Sequence, residues 1–179
     1  MFITFEGPEG GGKTSQIETL GVFLRQQGRV VVTTREPGGT PIGDQVRRVL
    51  MDHRNAEMVP RTEILLFLAS RAQHVEELIR PHLARRAIVL CDRYTDSTLA
   101  YQGYGHGVSL DELRALNRFA TAGLAPDLTL LLDVDVETGL KRRQSGGDWN
   151  RLDAHALAFH KRVRQGYHTL VQTEPARWV

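Results

Sequence analysis

One eight-residue segment constrains this chain more than any other feature. Residues 7–14 read GPEGGGKT and match the pattern G-x-x-x-x-G-K-[ST], between an apolar run and a helix-like segment. Glycines there let backbone N–H groups converge on phosphate oxygens at a helix N-terminus. Lys13 is expected to reach the β and γ phosphates, and the Thr14 hydroxyl to ligate Mg²⁺. The segment predicts a nucleoside triphosphate site made of Gly7, Pro8, Glu9, Gly10, Gly11, Gly12, Lys13, Thr14 and Ser15.

Four short apolar runs predict buried β-strands, at residues 2–5, 30–34, 87–91 and 128–132. Helix-like segments separate them, including residues 14–27, 61–83 and 154–171. This alternation predicts a three-layer α/β fold, with a doubly wound parallel sheet covered by helices on both faces. The 179 residues suit one core, so we predict a single domain over residues 1–179. Residues 176–179 predict the beginning of another strand, which leaves open a C-terminal end beyond Val179.

The charge balance argues against a nucleic-acid partner, because a net charge of +2 provides no concentrated basic face. Only three of the 23 basic residues are lysines, so most positive charge sits on guanidinium groups suited to phosphate. An arginine-rich proteome or thermal adaptation explains this composition equally well. The chain shows no leader or membrane-spanning pattern, and its one cysteine, Cys91, lies in an apolar run. We therefore expect a cytoplasmic protein with no membrane partner and no internal disulfide.

A second polar site is predicted where the third strand ends. Asp92 and Arg93 follow the apolar run at residues 87–91, and ligands gather at the carboxyl ends of parallel strands. Asp92 is expected to hold Mg²⁺, partly through water, and Arg93 to bridge donor and acceptor phosphoryl groups. A plain surface ion pair is the alternative. Asp133 ends another apolar run and competes for the Mg²⁺ role, a choice that the sequence leaves open.

A phosphate loop alone predicts that the protein binds a nucleotide, but it does not predict which reaction follows. GTPase switches read guanine with an Asn-Lys-x-Asp element, but the three lysines are preceded by Gly12, Leu140 and His160. Motor ATPases are usually larger and carry coupling motifs that this sequence lacks. A nucleotide or nucleoside kinase, a nucleotide-binding switch and a catalytically silent binding module remain.

Several longer motifs make the chain resemble bacterial thymidylate kinases. They are EGPEG at residues 6–10, TREPGGT at 34–40, DRY at 92–94 followed by Ser97, and AYQG at 100–103. They occur in the family's order along essentially the whole chain, and TREPGGT and AYQG are the most specific. The resemblance implies a P-loop fold, phosphorylation of dTMP to dTDP by ATP with Mg²⁺, and a homodimer packed through helices. Another P-loop kinase with a different acceptor is the nearest alternative.

The resemblance also implies an acceptor site. Phe67 and Arg71 lie four residues apart on one helix face, and similar kinases use such a pair to stack on thymine and bond its carbonyl edge. Without the resemblance, Phe67 is equally a core residue. Glu36 is expected to organise water, Mg²⁺ or Arg93 near the acceptor phosphate. The full set implied for dTMP is Glu36, Pro37, Arg47, Phe67, Arg71, Arg93, Ser97, Thr98, Tyr101 and Gln102.

Arginines flank a glycine-rich segment, SGGD at residues 145–148, which predicts a mobile lid at about residues 142–152. A solvated basic helix end that complements its own dipole is the alternative. Related bacterial enzymes without an arginine in the phosphate loop take positive charge from this lid, and the present loop has none. Gln144, Ser145 and Gly146 depart from the denser arginine pattern of those lids, so the choice of arginine stays open. The implied catalytic set is Lys13, Arg93, Glu9, Arg142, Arg143 and Arg151.

No general base is predicted, because a phosphate monoester with a second pKa of about 6 is mostly a dianion at neutral pH. None of the seven histidines is therefore given a catalytic role. His155 and His160 lack convincing metal-ligand spacing, and we expect them at exposed helix positions.

Overall fold

Four parallel strands form the sheet at the centre of the protein. The computed structural model describes residues 1–147 and 149–179. Its strands are β1 (Phe2–Glu6), β2 (Val31–Arg35), β3 (Ile88–Asp92) and β4 (Leu128–Leu131). They lie in the order β2-β3-β1-β4, so the chain extends the sheet on both sides of its first strand. The predicted α/β fold with a doubly wound parallel sheet is confirmed.

Helices connect the strands and pack against the sheet. Within the described part of the chain they are α1 (Lys13–Gln26), α2 (Pro41–Met51), α3 (Pro60–His74), α4 (Arg80–Ala84), α5 (Thr95–Thr98), α6 (Leu110–Thr121), α7 (Val136–Ser145) and α8 (Leu157–Thr173). A short 3₁₀ turn covers His53–Asn55, and π-helical turns cover Val75–Ile79 and Leu99–Gly105. Across all the residues that the structure describes, no helix is both long and apolar enough to cross a membrane.

The alternation of side chains in β1 explains why helices cover both faces. Ile3 and Phe5 point to one face, where they pack with Ile17 of α1. Phe2 points to the other face and packs with Val75 of the first π-helical turn. Because both faces are apolar, the strand is buried on both sides, as expected of a central parallel strand.

The segment predicted as one helix at residues 61–83 is interrupted by a wider turn. The π-helical turn Val75–Ile79 separates α3 from α4, and Pro81 follows it. Proline lacks an N–H and its ring collides with the carbonyl four residues earlier, so a regular α-helical turn cannot include it without distortion. The chain therefore remains helical past this point only by widening.

The C-terminal segment lies beside β4, in agreement with the predicted strand beginning. Trp178 bridges Thr129 in parallel, and the Val179 N–H donates to the Thr129 carbonyl at 3.0 Å. Arg177 fixes this segment through an ion pair with the buried Asp96, with Nη1 at 2.7 Å from Oδ2.

The prediction of two exposed histidines was wrong. His160 is buried in α8, with 4% of its surface exposed, because it lies on the helix face shared with Val163 and Tyr167. His155 lies just before α8, is half-buried and packs against Phe159, with ring centroids 4.3 Å apart.

Candidate functional site

A cleft of about 710 Å³ opens at the carboxyl ends of β1, β2 and β3. Its lining joins the phosphate loop to residues of α2, α3 and the Tyr94–Gly105 region. Of the predicted phosphate-site residues, those from Glu9 to Ser15 line the cleft. Gly7 and Pro8 lie behind it, where their carbonyl oxygens accept hydrogen bonds from Lys13.

Close backbone contacts explain two glycines of the loop. Gly10 has a φ of 68° and lies against the backbone of α7, where a Cβ on Gly10 would overlap the Gly139 carbonyl and a Cβ on Gly139 would overlap the Glu9 carbonyl. Gly7 has a φ of 132°, and a Cβ there would overlap the carbonyl of Leu132. The loop therefore needs glycine both for its backbone conformation and for packing.

Lys13 begins α1 and folds back over the loop. Its side chain is buried, and Nζ donates to the carbonyls of Gly7 at 3.2 Å and Pro8 at 2.9 Å. Burial, reinforced by repulsion from Arg93, lowers the pKa of Lys13 to about 8. The hydrogen-bond acceptors of Nζ are neutral carbonyls, so a phosphate in the loop would supply an anionic acceptor and raise this pKa.

Thr14 and Asp92 meet at the floor of the cleft. The Thr14 hydroxyl donates to Asp92 Oδ2 at 3.1 Å, although the two residues are 78 positions apart. Asp133, the competing acid, instead accepts two hydrogen bonds from Arg164, from Nε to Oδ1 and from Nη2 to Oδ2, both at 2.7 Å. Among the described residues that line the cleft, Asp92 is present and Asp133 is not.

Arg93 connects the loop to the acceptor half of the cleft. It follows β3 with a φ of 69°, an unfavourable value for a residue with a Cβ. Its two terminal nitrogens donate, over 2.9–3.2 Å, to the Gly7 carbonyl, Ser97 Oγ, the Tyr167 hydroxyl, Glu9 Oε1 and the Tyr101 hydroxyl. Burial is the largest single influence and disfavours the charge on Arg93, but Glu9, Tyr101, Tyr167 and Asp92 together outweigh it and raise the pKa of the guanidinium.

Glu9 carries the negative charge of this network. Burial alone would raise its pKa, but Arg93 and Lys13 outweigh burial and lower the pKa to about 2. The Tyr101 hydroxyl also donates to Glu9 Oε1, at 2.8 Å. Glu9 is therefore an ionised acceptor that holds Arg93 and Tyr101 together in the cleft wall.

Arg71 is fixed in the acceptor half by four protein acceptors. Only 2% of its surface is exposed. Its bonds go to Glu36 Oε2 at 2.7 Å, Thr98 Oγ1 at 2.9 Å, Asn117 Oδ1 at 2.5 Å and the Tyr94 carbonyl at 2.9 Å. A guanidinium has five N–H donors, so the described residues leave one of them for a ligand.

Glu36 contacts Arg71 and His74, and not Arg93 as one of the predicted roles required. His74 Nδ1 lies 3.0 Å from Glu36 Oε1. Burial opposes ionisation of Glu36, but Arg71 and His74 outweigh burial and lower its pKa. Arg47, from α2, donates to the Pro37 carbonyl at 2.9 Å and lines the cleft beside Glu36 and Pro37.

The remaining acceptor residues also line the cleft. Phe67 is only half-buried and lies outside the described core clusters, which disfavours the reading of it as a core side chain. Gln102 is buried and donates from Nε2 to Glu63 Oε1 at 2.8 Å. Ser97, Thr98 and Tyr101 complete the wall.

The predicted lid arginines do not all reach the cleft. Arg142 and Arg143 both line the cleft. Arg142 donates to the Gly10 carbonyl at 3.4 Å, and Arg143 donates from Nε to Asp153 Oδ2 at 3.2 Å. Arg151 is instead buried behind the wall, because Glu63 Oε2 and the Leu50 carbonyl hold its guanidinium. Asp148, part of the predicted lid, lies outside the described residues.

Three functional neighbours were missed from the sequence. Glu6 is fully buried below the loop, where its carboxylate accepts from Ser97 Oγ at 2.6 Å and Tyr167 at 2.9 Å. Burial, with repulsion from Asp96, raises the pKa of Glu6 to about 7. Asn117 and Tyr167, like Glu6, fix predicted site residues. Of the three, only Glu6 has a recognisable sequence signal, because its carboxylate directly follows an apolar strand.

Comparisons with known proteins agree on one family. The family model described as "Thymidylate kinase" matches residues 5–179. A thymidylate kinase of Thermomicrobium roseum is 55% identical over 178 residues, which cover 99% of this chain and 84% of the relative. One of Herpetosiphon aurantiacus is 50% identical over 203 residues, covering 99% and 86%. The crystal structure of thymidylate kinase from Ehrlichia chaffeensis is 36% identical, with a TM-score of 0.83, and the match covers 100% of this chain and 90% of that one.

The contact between α7 and the phosphate loop predicts a cost for one added methyl group. Gly139→Ala places a Cβ on the Glu9 carbonyl, so the loop or the helix has to move. We expect a loss of about 1–3 kcal/mol in the free energy of unfolding, measured by urea denaturation. Gly146→Ala is the control, since its Cβ meets nothing closer than 3.5 Å. Equal stability of the two variants would contradict the close contact.

Proposed function

Because the chain belongs to the thymidylate kinase family, we propose that it transfers the γ-phosphoryl group of ATP to dTMP, giving ADP and dTDP for dTTP synthesis. The observation that carries this proposal is the double engagement of Arg93. One guanidinium binds the phosphate loop through Gly7 and Glu9, and the acceptor wall through Ser97 and Tyr101. A cation placed between two phosphate sites suits phosphoryl transfer, in which catalysis is mainly positioning and charge neutralisation.

In this proposal the loop holds the donor. Backbone N–H groups of the loop and the ammonium group of Lys13 bind the β and γ phosphates of ATP. The Thr14 hydroxyl and the Asp92 carboxylate are hard oxygen ligands on adjacent side chains, a donor set that fits Mg²⁺ with water completing its shell. A Mg²⁺ ion held there would neutralise phosphate charge.

The acceptor half holds dTMP. Phe67 stacks on thymine, and the remaining N–H of Arg71 donates to its carbonyl edge, with Thr98 and Gln102 beside it. Arg47 and Arg93 bind the acceptor phosphate, whose dianion is itself the nucleophile, so the protein needs no base. Tyr101 is held by Glu9 and Arg93 at a fixed position for contact with the sugar.

The lid residues complete the charge around the transferred group. Arg142 and Arg143 line the cleft and supply the guanidinium charge that the loop, which contains no arginine, does not provide. Arg151 acts differently in this proposal: through its buried bond to Glu63 it anchors the C-terminal end of the lid to α3.

We also infer a homodimer, in the cytoplasm, where the buried thiol of Cys91 stays reduced. Helices α2, α3 and α6 pack side by side and expose large apolar side chains, including Ile42, Leu65 and Phe119. Phe119 is 86% exposed, which is unusual for a phenylalanine. Light scattering should give a dimer mass that falls to the monomer in Phe119→Asp and not in the control Phe23→Asp on α1. A monomeric wild type would refute this inference.

Coupled detection of ADP release with ATP and a panel of acceptors tests the reaction. We expect turnover to be fastest with dTMP, because the proposed thymine contacts are specific to that base. Faster turnover with GMP, UMP or an unphosphorylated nucleoside would overturn the acceptor assignment. Nucleotide binding without a phosphorylated product would favour a switch or a silent binding module.

The stacking role of Phe67 predicts a change in one Michaelis constant. Phe67→Ala should raise KM for dTMP roughly 5- to 150-fold, since base stacking on an aromatic ring contributes about 1–3 kcal/mol. KM for ATP should change by less than about twofold, because the ring lies in the acceptor half. Phe23→Ala, a substitution of an exposed phenylalanine in α1, is the matched control. Parallel increases in both constants would indicate a structural role.

The lowered pKa of Lys13 predicts a pH dependence of donor binding. Below pH 8 Lys13 carries its proton, so KM for ATP should be constant. Above pH 8 the free protein loses the proton that the phosphates stabilise, and KM for ATP should rise by up to about tenfold per pH unit. KM for dTMP, whose phosphate stays a dianion, is the internal control. A flat KM for ATP between pH 7 and pH 9.5 would contradict the role of Lys13.

A further inference from the structure

Three potential metal ligands converge behind the acceptor half of the cleft. Glu63 lies in α3, His106 directly after the π-helical turn Leu99–Gly105, and His155 just before α8. One ligand atom from each lies within 4.8 Å of the other two. None of the three lines the nucleotide cleft, so the cluster is separate from the proposed donor and acceptor sites.

The spacing of these atoms is close to that of a tetrahedral metal site. Ligands about 2.1 Å from a tetrahedral Zn²⁺ are about 3.4 Å from one another. His106 Nε2 already lies 3.4 Å from Glu63 Oε1. With every pair within 4.8 Å, His155 needs to approach by at most about 1.4 Å, a shift that side-chain rotation supplies.

The imidazoles of His106 and His155 are poorly satisfied by polar partners. Nε2 of His155 is shielded from solvent and makes no hydrogen bond with a described residue, and the equally shielded Nε2 of His106 has only the 3.4 Å contact with Glu63 Oε1. Both rings pack against Phe159, with centroid distances of 4.8 and 4.3 Å, and their own centroids are 5.2 Å apart. A buried polar nitrogen without a partner is unfavourable, so the arrangement indicates a missing ligand.

The carboxylate is held in the way that metal-binding carboxylates usually are. Arg151 binds Glu63 Oε2 at 2.5 Å, which leaves Oε1 facing the imidazoles. Gln102 Nε2 donates to Oε1 at 2.8 Å. When a metal binds Oε1, the Gln102 amide either keeps this hydrogen bond to the same oxygen or rotates away from it. Such outer contacts orient a ligand and increase its affinity.

We propose that Glu63, His106 and His155 form a binding site for a divalent transition metal of the Zn²⁺ class, with water as the fourth ligand. Two imidazoles and one carboxylate favour Zn²⁺, Co²⁺ or Ni²⁺ over Mg²⁺, which prefers oxygen. The bound metal joins α3 to the segment before α8 and to the turn that carries Gln102. It therefore fixes the wall behind the base pocket without taking part in phosphoryl transfer.

Binding to the tag-free, chelator-treated protein tests the site, with no nucleotide present. Zn²⁺ is titrated in competition with a chromogenic chelator, and Co²⁺ is followed by its visible absorption, which is intense for tetrahedral coordination. We expect one equivalent to bind and a higher melting temperature for the loaded protein. His106→Gln and His155→Gln should each raise the dissociation constant at least about 100-fold.

The chain provides a matched control. His168 lies 3.3 Å from Asp133, a carboxylate that also binds an arginine, Arg164, but no second imidazole among the described residues completes that pair. His168→Gln should therefore leave the affinity for the one tightly bound Zn²⁺ unchanged.

Circular dichroism and dTMP kinase activity verify that each variant is folded. The proposal is overturned if the wild type binds Zn²⁺ no more tightly than the His106→Gln/His155→Gln double variant, in which case water or ring packing satisfies the imidazoles. Equal loss in His168→Gln would overturn it as well.

Discussion

The guanidinium of Arg93 is the interaction on which the rest of the cleft depends. It is a buried cation, and burying a charge is costly unless hydrogen bonds and an opposite charge compensate for it. Glu9 supplies the opposite charge, and neutral oxygens of Gly7, Ser97, Tyr101 and Tyr167 supply the rest. Because these partners come from distant parts of the chain, one side chain fixes the phosphate loop relative to the acceptor wall.

A second buried cation has a similar effect deeper in the protein. Arg71 binds Glu36, Thr98 and Asn117, which belong to different elements. Buried ion pairs add little net stability, since desolvation offsets most of their attraction. Their benefit here is positional: both guanidinium groups are already oriented in the protein alone. Binding a dianionic substrate then requires little rearrangement of the wall.

The sequence predicted the features that depend on local patterns. The phosphate loop, the four strands and the helix face shared by Phe67 and Arg71 follow from spacing along the chain. It could not choose between Asp92 and Asp133, because that distinction depends on Arg164, which lies about thirty positions beyond Asp133 and removes it from the cleft. The buried position of Arg151 could not be predicted for the same reason. Its partner Glu63 is 88 positions away, and an isolated arginine looks the same whether it faces a substrate or a buried carboxylate.

The contact between Gly10 and Gly139 has a consequence for how such a sequence can vary. Each residue is already the smallest available, so no reduction at one position can make room for an enlargement at the other. The pair therefore has no compensating double substitution, unlike ordinary core contacts, where a larger side chain is balanced by a smaller neighbour. A side chain at either position therefore requires the phosphate loop and α7 to move apart, so variation at one position is tied to the backbone geometry at the other.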